Sequence, residues 1–168
     1  MESVGNFQVN EIAHDQIAEF TGVPVKYYRR MRQEAPGLLT QNVNHWFDRS
    51  NGTQRMVRTL DGSVRAFLSD RYRPLDNHDL AEIALDEMVK SGCRIESCEV
   101  TEKRMYIKAV TERLSYEVKK GDVVQAGIVV SNSEVGMGAL SVEPLLYRLV
   151  CTNGMIVNDA KMRRTHVG

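Results

Sequence analysis

The sequence has little that would tie it to a secreted, membrane-spanning or metal-dependent protein. Its three cysteines, Cys93, Cys98 and Cys151, are an odd number and make no disulfide framework, and no signal peptide opens the chain. Reduced thiols and a cytoplasmic location are the expectation. Cys93 and Cys98 have no neighbouring histidine to complete a zinc site. No apolar run approaches the roughly 20 residues of a membrane span, so no membrane partner is expected. Catalytic motifs are equally scarce. Gly136-x-Gly138 is too short for a phosphate loop and reads as turn or bulge glycines. His78-x-x-x-Glu82 lacks the second histidine of a metalloprotease helix. Asp61, Asp70, Asp76 and Asp79 could gather around magnesium, but a turn accounts for Asp61 and a helix cap for Asp76. No enzyme and no cofactor is expected.

Net charge is also missing, since 22 basic residues balance 22 acidic ones. The balance is not local. Residues 1–75 hold 10 Lys and Arg against 8 Asp and Glu, residues 76–102 hold 2 against 8, and residues 103–168 hold 10 against 6. An acidic helix can thus stand apart from basic surfaces that attract anions.

Residues 53–73 carry the functional expectation. Asp61-Gly62 between two alternating runs signals a hairpin with a type I′ turn. An unbroken register from that turn opposes Arg58 to Arg65 and Met56 to Phe67, with Val57, Thr59, Val64, Ala66 and Leu68 on the buried face. Like charges facing each other across a ladder are destabilising. Two such arginines beside an aromatic, with Arg55, Arg71, Tyr72 and Arg73 close in sequence, suit a flat anionic ligand. A solvated face whose arginines pair with acids elsewhere is the alternative.

Around the hairpin the pattern is helical first. Residues 8–20 place apolar side chains at helical spacing behind Asn10 as cap, and Pro24 opens a second helix, Val25 to Glu34. The turn between them resembles a helix-turn-helix, in which Lys26, Arg29, Arg30 and Arg32 would suit phosphates; packing of Tyr27, Tyr28 and Met31 on the fold is the competing use. A third helix over 38–48 sets Leu39, Val43, Trp46 and Phe47 on one side, with Trp46 as a core anchor. After Pro74 an amphipathic helix runs from about 77 to 91. Strand patterns follow at 93–101, 104–112, 114–119 and 122–131, and residues 142–150 read as strand or helix. Lys103, Arg104 and Lys108 extend a basic surface or keep a sheet edge soluble. The expected fold is α+β: a curved antiparallel sheet of about five strands with the β-hairpin, backed by helices. A helical segment, 1–50, precedes an α+β core, 51–168, the two making one compact unit.

Five stretches stand out together: Gly22-Val23-Pro24 with Tyr27-Tyr28-x-x-Met31, Asn42-x-Asn44-x-Trp46, Arg65-Ala66-Phe67-Leu68-Ser69-Asp70-Arg71-Tyr72, Leu149-Val150-Cys151-Thr152-Asn153-Gly154-Met155, and Arg164-Thr165-His166. With them the chain resembles the phage/plasmid-like protein family catalogued as domain of unknown function 932. The resemblance implies a role in mobile-element DNA metabolism inside a bacterial host cell. It also implies that this chain is short for its family. A more distant likeness, of element order alone, is to single-strand annealing recombinases, where a hairpin, a helix-backed sheet and a helix here near 143–156 would line a DNA groove in an oligomeric ring.

The expectation is a non-enzymatic binder of single-stranded DNA, extending to duplex DNA, that works as a homo-oligomer. The expected contacts are Arg55, Arg58, Arg65, Arg71, Arg73, Lys103, Arg104 and Lys108 to phosphates, with Phe67 and Tyr72 stacking on bases. A protein-interaction or regulatory module of a mobile element, including duplex binding by the helix-turn-helix, is the alternative.

Overall fold

The computed structural model describes residues 6–120, 122–148, 155–156 and 162–164. The chain divides into two compact units, Met1–Tyr72 and Arg73–Gly168. The hairpin therefore belongs with the N-terminal helices, and the boundary falls after Tyr72 instead of at residue 50.

In the first unit, β1 (Gln8–Val9) leads into α1 (Glu11–Thr21). The Asn10 side chain accepts from the Ala13 N–H at 2.9 Å, an N-cap that satisfies one free donor of the first turn. Gly22 ends α1 at φ +68°, where its N–H reaches the carbonyls of Ala18 and Glu19. Pro24 precedes α2 (Val25–Glu34), and Pro36 opens α3 (Pro36–Asp48), its missing N–H harmless at the first helical position. Ala18, Val23, Tyr28, Met31 and Leu39 form the helical core, with Ile17, Val25 and Val43 around them.

The hairpin is β2 (Arg55–Leu60) and β3 (Ser63–Ser69), and β1 adds to β3 in parallel to give the order β1-β3-β2. Asp61 and Gly62 sit at φ 48° and 74°, the two positive values that a type I′ turn requires. The expected register holds only for the first two pairs, Leu60 with Ser63 and Thr59 with Val64. A bulge at Arg65 then shifts the ladder, so Arg58 faces Ala66, Val57 faces Phe67 and Met56 faces Leu68. One extra residue on β3 shifts its later residues against β2 by one, so the β2 residues that share a face with Ala66 and Leu68 are Arg58 and Met56 and no longer Val57. The opposed arginine pair does not form. Val57, expected inside, is 49% exposed, whereas Ala66 and Leu68 are buried.

The second unit has α4 (Asn77–Lys90) and an antiparallel sheet of β4 (Arg94–Val100), β5 (Met105–Lys119), β6 (Asp122–Asn132) and β7 (Leu140–Arg148). Two short strands, β8 (Met155–Ile156) and β9 (Met162–Arg164), both pair with β7. This corrects the single five-stranded sheet: the hairpin builds its own sheet in the other unit. The runs 104–112 and 114–119 join into one strand across an irregularity between Thr111 and Ser115. Residues 143–148, expected as helix in the recombinase likeness, are strand. Pro144 lacks the N–H that a helix interior uses, and it pairs opposite Ile128. Cys151-Thr152-Asn153-Gly154 and Thr165-His166 lie outside the described residues.

Helix α4 packs Leu80, Ala81, Ala84, Leu85 and Met88 on one sheet face, against Met105, Ile107, Ala109 and Val130. Ile83 and Val89 point away, at 65% and 62% exposure. The α4 N-terminus is capped from the end of β6 and the residues after it, a partnership no local pattern announces. The Glu134 carboxylate accepts from the Asn77 N–H at 2.7 Å. Asn132 donates to the Leu75 carbonyl and to Asn77 Oδ1, each at 2.9 Å.

Candidate nucleic-acid interface

The expected contact residues divide between the two units. Arg55, Arg58, Arg65, Phe67, Arg71 and Tyr72 lie in the first; Arg73, Lys103, Arg104 and Lys108 lie in the second. Tyr72 is only 5% exposed and offers no ring face to a base. Phe67 is likewise engaged: its ring centroid lies 5.5 Å from Phe20 and 5.6 Å from Phe47, stacked on the latter at 21°. Burial removes Tyr72 from the stacking role expected of it, whereas Phe67 is half-buried and lines an open pocket. Arg58 and Arg65 are half-buried, while Arg71 and Arg73 are exposed.

In the second unit, Arg104 has structural employment. It donates to Ser131 Oγ at 2.9 Å and the Ala139 carbonyl at 3.3 Å, and it lies 5.4 Å from the Tyr106 ring centroid. A Cβ on Gly138 would stand 2.6 Å from its guanidinium carbon, so the second glycine of the Gly136-x-Gly138 pair makes room for this side chain. Lys108 stands 3.8 Å from Glu99, and Lys103 is exposed.

The helix-turn-helix arginines are mostly spoken for. Arg29 bonds both carboxylate oxygens of Asp15, Arg30 pairs with Glu34, and Arg32 pairs with Glu11. Hydrogen bonding to Arg32 holds the Glu11 carboxyl below its ordinary range. Behind them His14 Nδ1 and the Tyr28 hydroxyl are 2.9 Å apart. Burial, seconded by the nearby Arg32 charge, pushes the His14 pKa down, and burial pushes that of Tyr28 up.

What the hairpin does assemble, together with α1, is a pocket with Arg55 in its wall. Arg55 at the start of β2 lays its guanidinium 4.0 Å from the Phe20 ring centroid and 6.0 Å from that of Phe67. Its Nε is shielded from solvent and has no hydrogen-bond partner. Among the described residues no carboxylate pairs with it. Arg55 lines an open pocket of about 510 Å³ with Gln16, Glu19, Phe20, Phe67, Leu68 and Ser69. Gln16 Oε1 accepts from the Phe67 N–H at 2.7 Å, which ties α1 to β3 and fixes one wall. A shielded N–H left without an acceptor is costly, on the order of 1–3 kcal/mol.

Glu19, Gln16, Phe20 and Phe47 were not legible as site residues. In sequence they are ordinary positions on two helices, and only the fold brings Gln16, Glu19 and Phe20 to Arg55 and Phe47 to the Phe20 and Phe67 rings. Trp46 also departs from expectation. Leu39, Val43 and Phe47 face inward along α3, while Trp46 lies on the outer side at 43% exposure, its Nε1 donating to Asn42 Oδ1. Among the described residues no three His, Cys, Asp or Glu stand close enough together to hold a metal ion.

Residues 65–168 match the family described as a domain of unknown function (DUF932). The chain belongs to the DUF932 family. The match begins at Arg65, the bulged residue of β3, and takes in the whole second unit. Helix α1 and strand β2, which supply Gln16, Glu19, Phe20 and Arg55 to the pocket, precede the DUF932 match. No curated protein and no solved structure matches the chain.

Proposed function

We propose that this DUF932 protein is a non-enzymatic nucleic-acid-binding protein of a phage or other mobile element whose ligand is single-stranded DNA. The observation that carries the reading is Arg55, a guanidinium seated on an aromatic ring in the wall of an open pocket, with no carboxylate paired to it among the described residues. Arginine so placed suits an acceptor-rich, partly flat ligand, which describes a nucleotide better than a simple anion. In this reading exposed Arg71, just beyond β3, adds a cation for a phosphate of the strand. Single strands are favoured over duplex because the site is a pocket and not a protruding helix, and because the arginines of α2 are engaged with Asp15, Glu34 and Glu11.

Assembly into a homo-oligomer, with annealing as the outcome, is part of the same proposal. It is supported by a row of exposed apolar side chains along β5, Leu114, Tyr116 and Val118, which is unusual for a surface that meets only water. Fluorescence anisotropy with labelled single-stranded and duplex oligonucleotides tests the reading. Arg55→Ala is expected to weaken single-strand binding by about tenfold, the worth of roughly one charged hydrogen bond. Equal affinity in wild type and variant would remove the pocket from the function.

A further inference from the structure

Arg55 shares its pocket with an acid that does not neutralise it. Glu19, on the last turn of α1, lines the same cavity, and among the described residues it makes no ion pair with Arg55 or any other cation. Opposite charges that line one pocket without bridging leave room for a ligand that presents donors to one and acceptors to the other. Phe20, Phe67 and Leu68 give the walls an apolar part, which suits a flat ring, and Gln16 and Ser69 give them polar groups that suit a ligand with polarity at its edges. The volume, about 510 Å³, accommodates one nucleotide unit.

We propose that the Glu19–Arg55 pocket reads a guanine base of the bound single strand, an inference that rests on the single-strand reading above. Guanine places two donors side by side, N1–H and the N2 amino group, which match the two oxygens of a carboxylate. It also places two acceptors side by side, O6 and N7, which match the forked N–H groups of a guanidinium. Adenine has no donor at N1 and leaves the carboxylate short of a partner. Cytosine offers adjacent acceptors but only one amino group. Thymine offers a single N–H between two carbonyls. Bases in single strands are free to turn such edges into a pocket, which those of a duplex are not.

The test uses the full chain and thymidine oligonucleotides carrying a central dG, dA or dC, with an all-thymidine strand as reference and free GMP as competitor. The dG strand is expected to bind roughly tenfold tighter than the dA strand, the discrimination one good bidentate base contact provides. Glu19→Gln and Arg55→Lys should each bring the dG-to-dA ratio near one, the first by losing an acceptor and the second by losing the fork while keeping the charge. Glu19 is exposed at its helix surface, so a fold defect in Glu19→Gln would show as lost helicity and is separable from lost selectivity. Equal affinity for all strands in the wild type would overturn guanine reading while leaving single-strand binding intact. Absence of binding to every strand would overturn both. Displacement by free GMP at concentrations no higher than the dG strand itself would overturn the strand as the source of the base.

Discussion

At the residue scale the hairpin shows why a residue type is a weaker guide than its surroundings. Phe67 and Tyr72 have the chemistry of stacking platforms, but one is wedged between Phe20 and Phe47 and the other is buried. Arg55 reads in sequence like its neighbours Arg58 and Arg65, yet the fold lays it over the Phe20 and Phe67 rings in the pocket wall. Phe20→Ala should therefore act twice. It removes an aromatic packing partner, at about 3 kcal/mol, and it frees Arg55 to wander, so chemical denaturation and DNA affinity should both fall. His14 supplies a pH prediction. Its folded pKa is depressed, so the unfolded chain binds the proton more readily, and stability rises with pH across that window. The His14 contribution is complete above the ordinary histidine range and is lost as pH falls through the lower folded value. Urea midpoints should drop as pH falls from 7.5 to 5.5, and His14→Gln should flatten that part of the profile. Glu11 and Asp122, both held low by hydrogen bonds to arginine, lose their contributions only in the more acidic carboxylate window.

At the scale of elements, capping and period were well written in the sequence. Asn10, Gly22, Pro24 and Asp61-Gly62 each act locally, through a side-chain cap or a required φ, and each punctuates the chain where the local rule places it. What local rules miss is what depends on distant partners. The bulge at Arg65 leaves no mark in an alternating run, yet it dissolves the arginine pair on which the hairpin reading stood. The α4 N-terminus depends on Asn132 and Glu134, and Asn132 is wholly buried. Asn132→Ala is expected to cost on the order of 1–3 kcal/mol because it strands the Leu75 carbonyl and the Asn77 side chain, readable as a lower melting temperature. In the sheet, a Cβ at Gly127 would sit 2.3 Å from the Ala109 carbonyl oxygen. Since backbone cannot step aside as a side chain can, Gly127→Ala should destabilise the β5–β6 pairing by roughly 1–3 kcal/mol. A melting temperature within a degree of wild type would contradict that account.

At the scale of the whole molecule, the α+β class was legible from the order of periodicities, helical first and alternating later. The partition was not. Residue 51 looked like the start of the core because strands begin there, but the hairpin joins α1 through Gln16 and the Phe20–Phe47–Phe67 cluster. Burial of aromatic surface decides which unit a hairpin joins, and that is not encoded in its own two strands. The basic residues expected to make one surface consequently fall in two units, with Arg104 tied down by Ser131 and Ala139. The binding account thus concentrates on the Arg55 pocket. The measurement that tests it most directly is anisotropy of single-stranded and duplex oligonucleotides across a salt series, with wild type and Arg55→Ala side by side. The account predicts tighter binding of single strands, affinity that declines with salt as phosphate contacts release counterions, and a clear loss in Arg55→Ala. No binding of either nucleic acid at low salt, or binding that ignores Arg55, would contradict it.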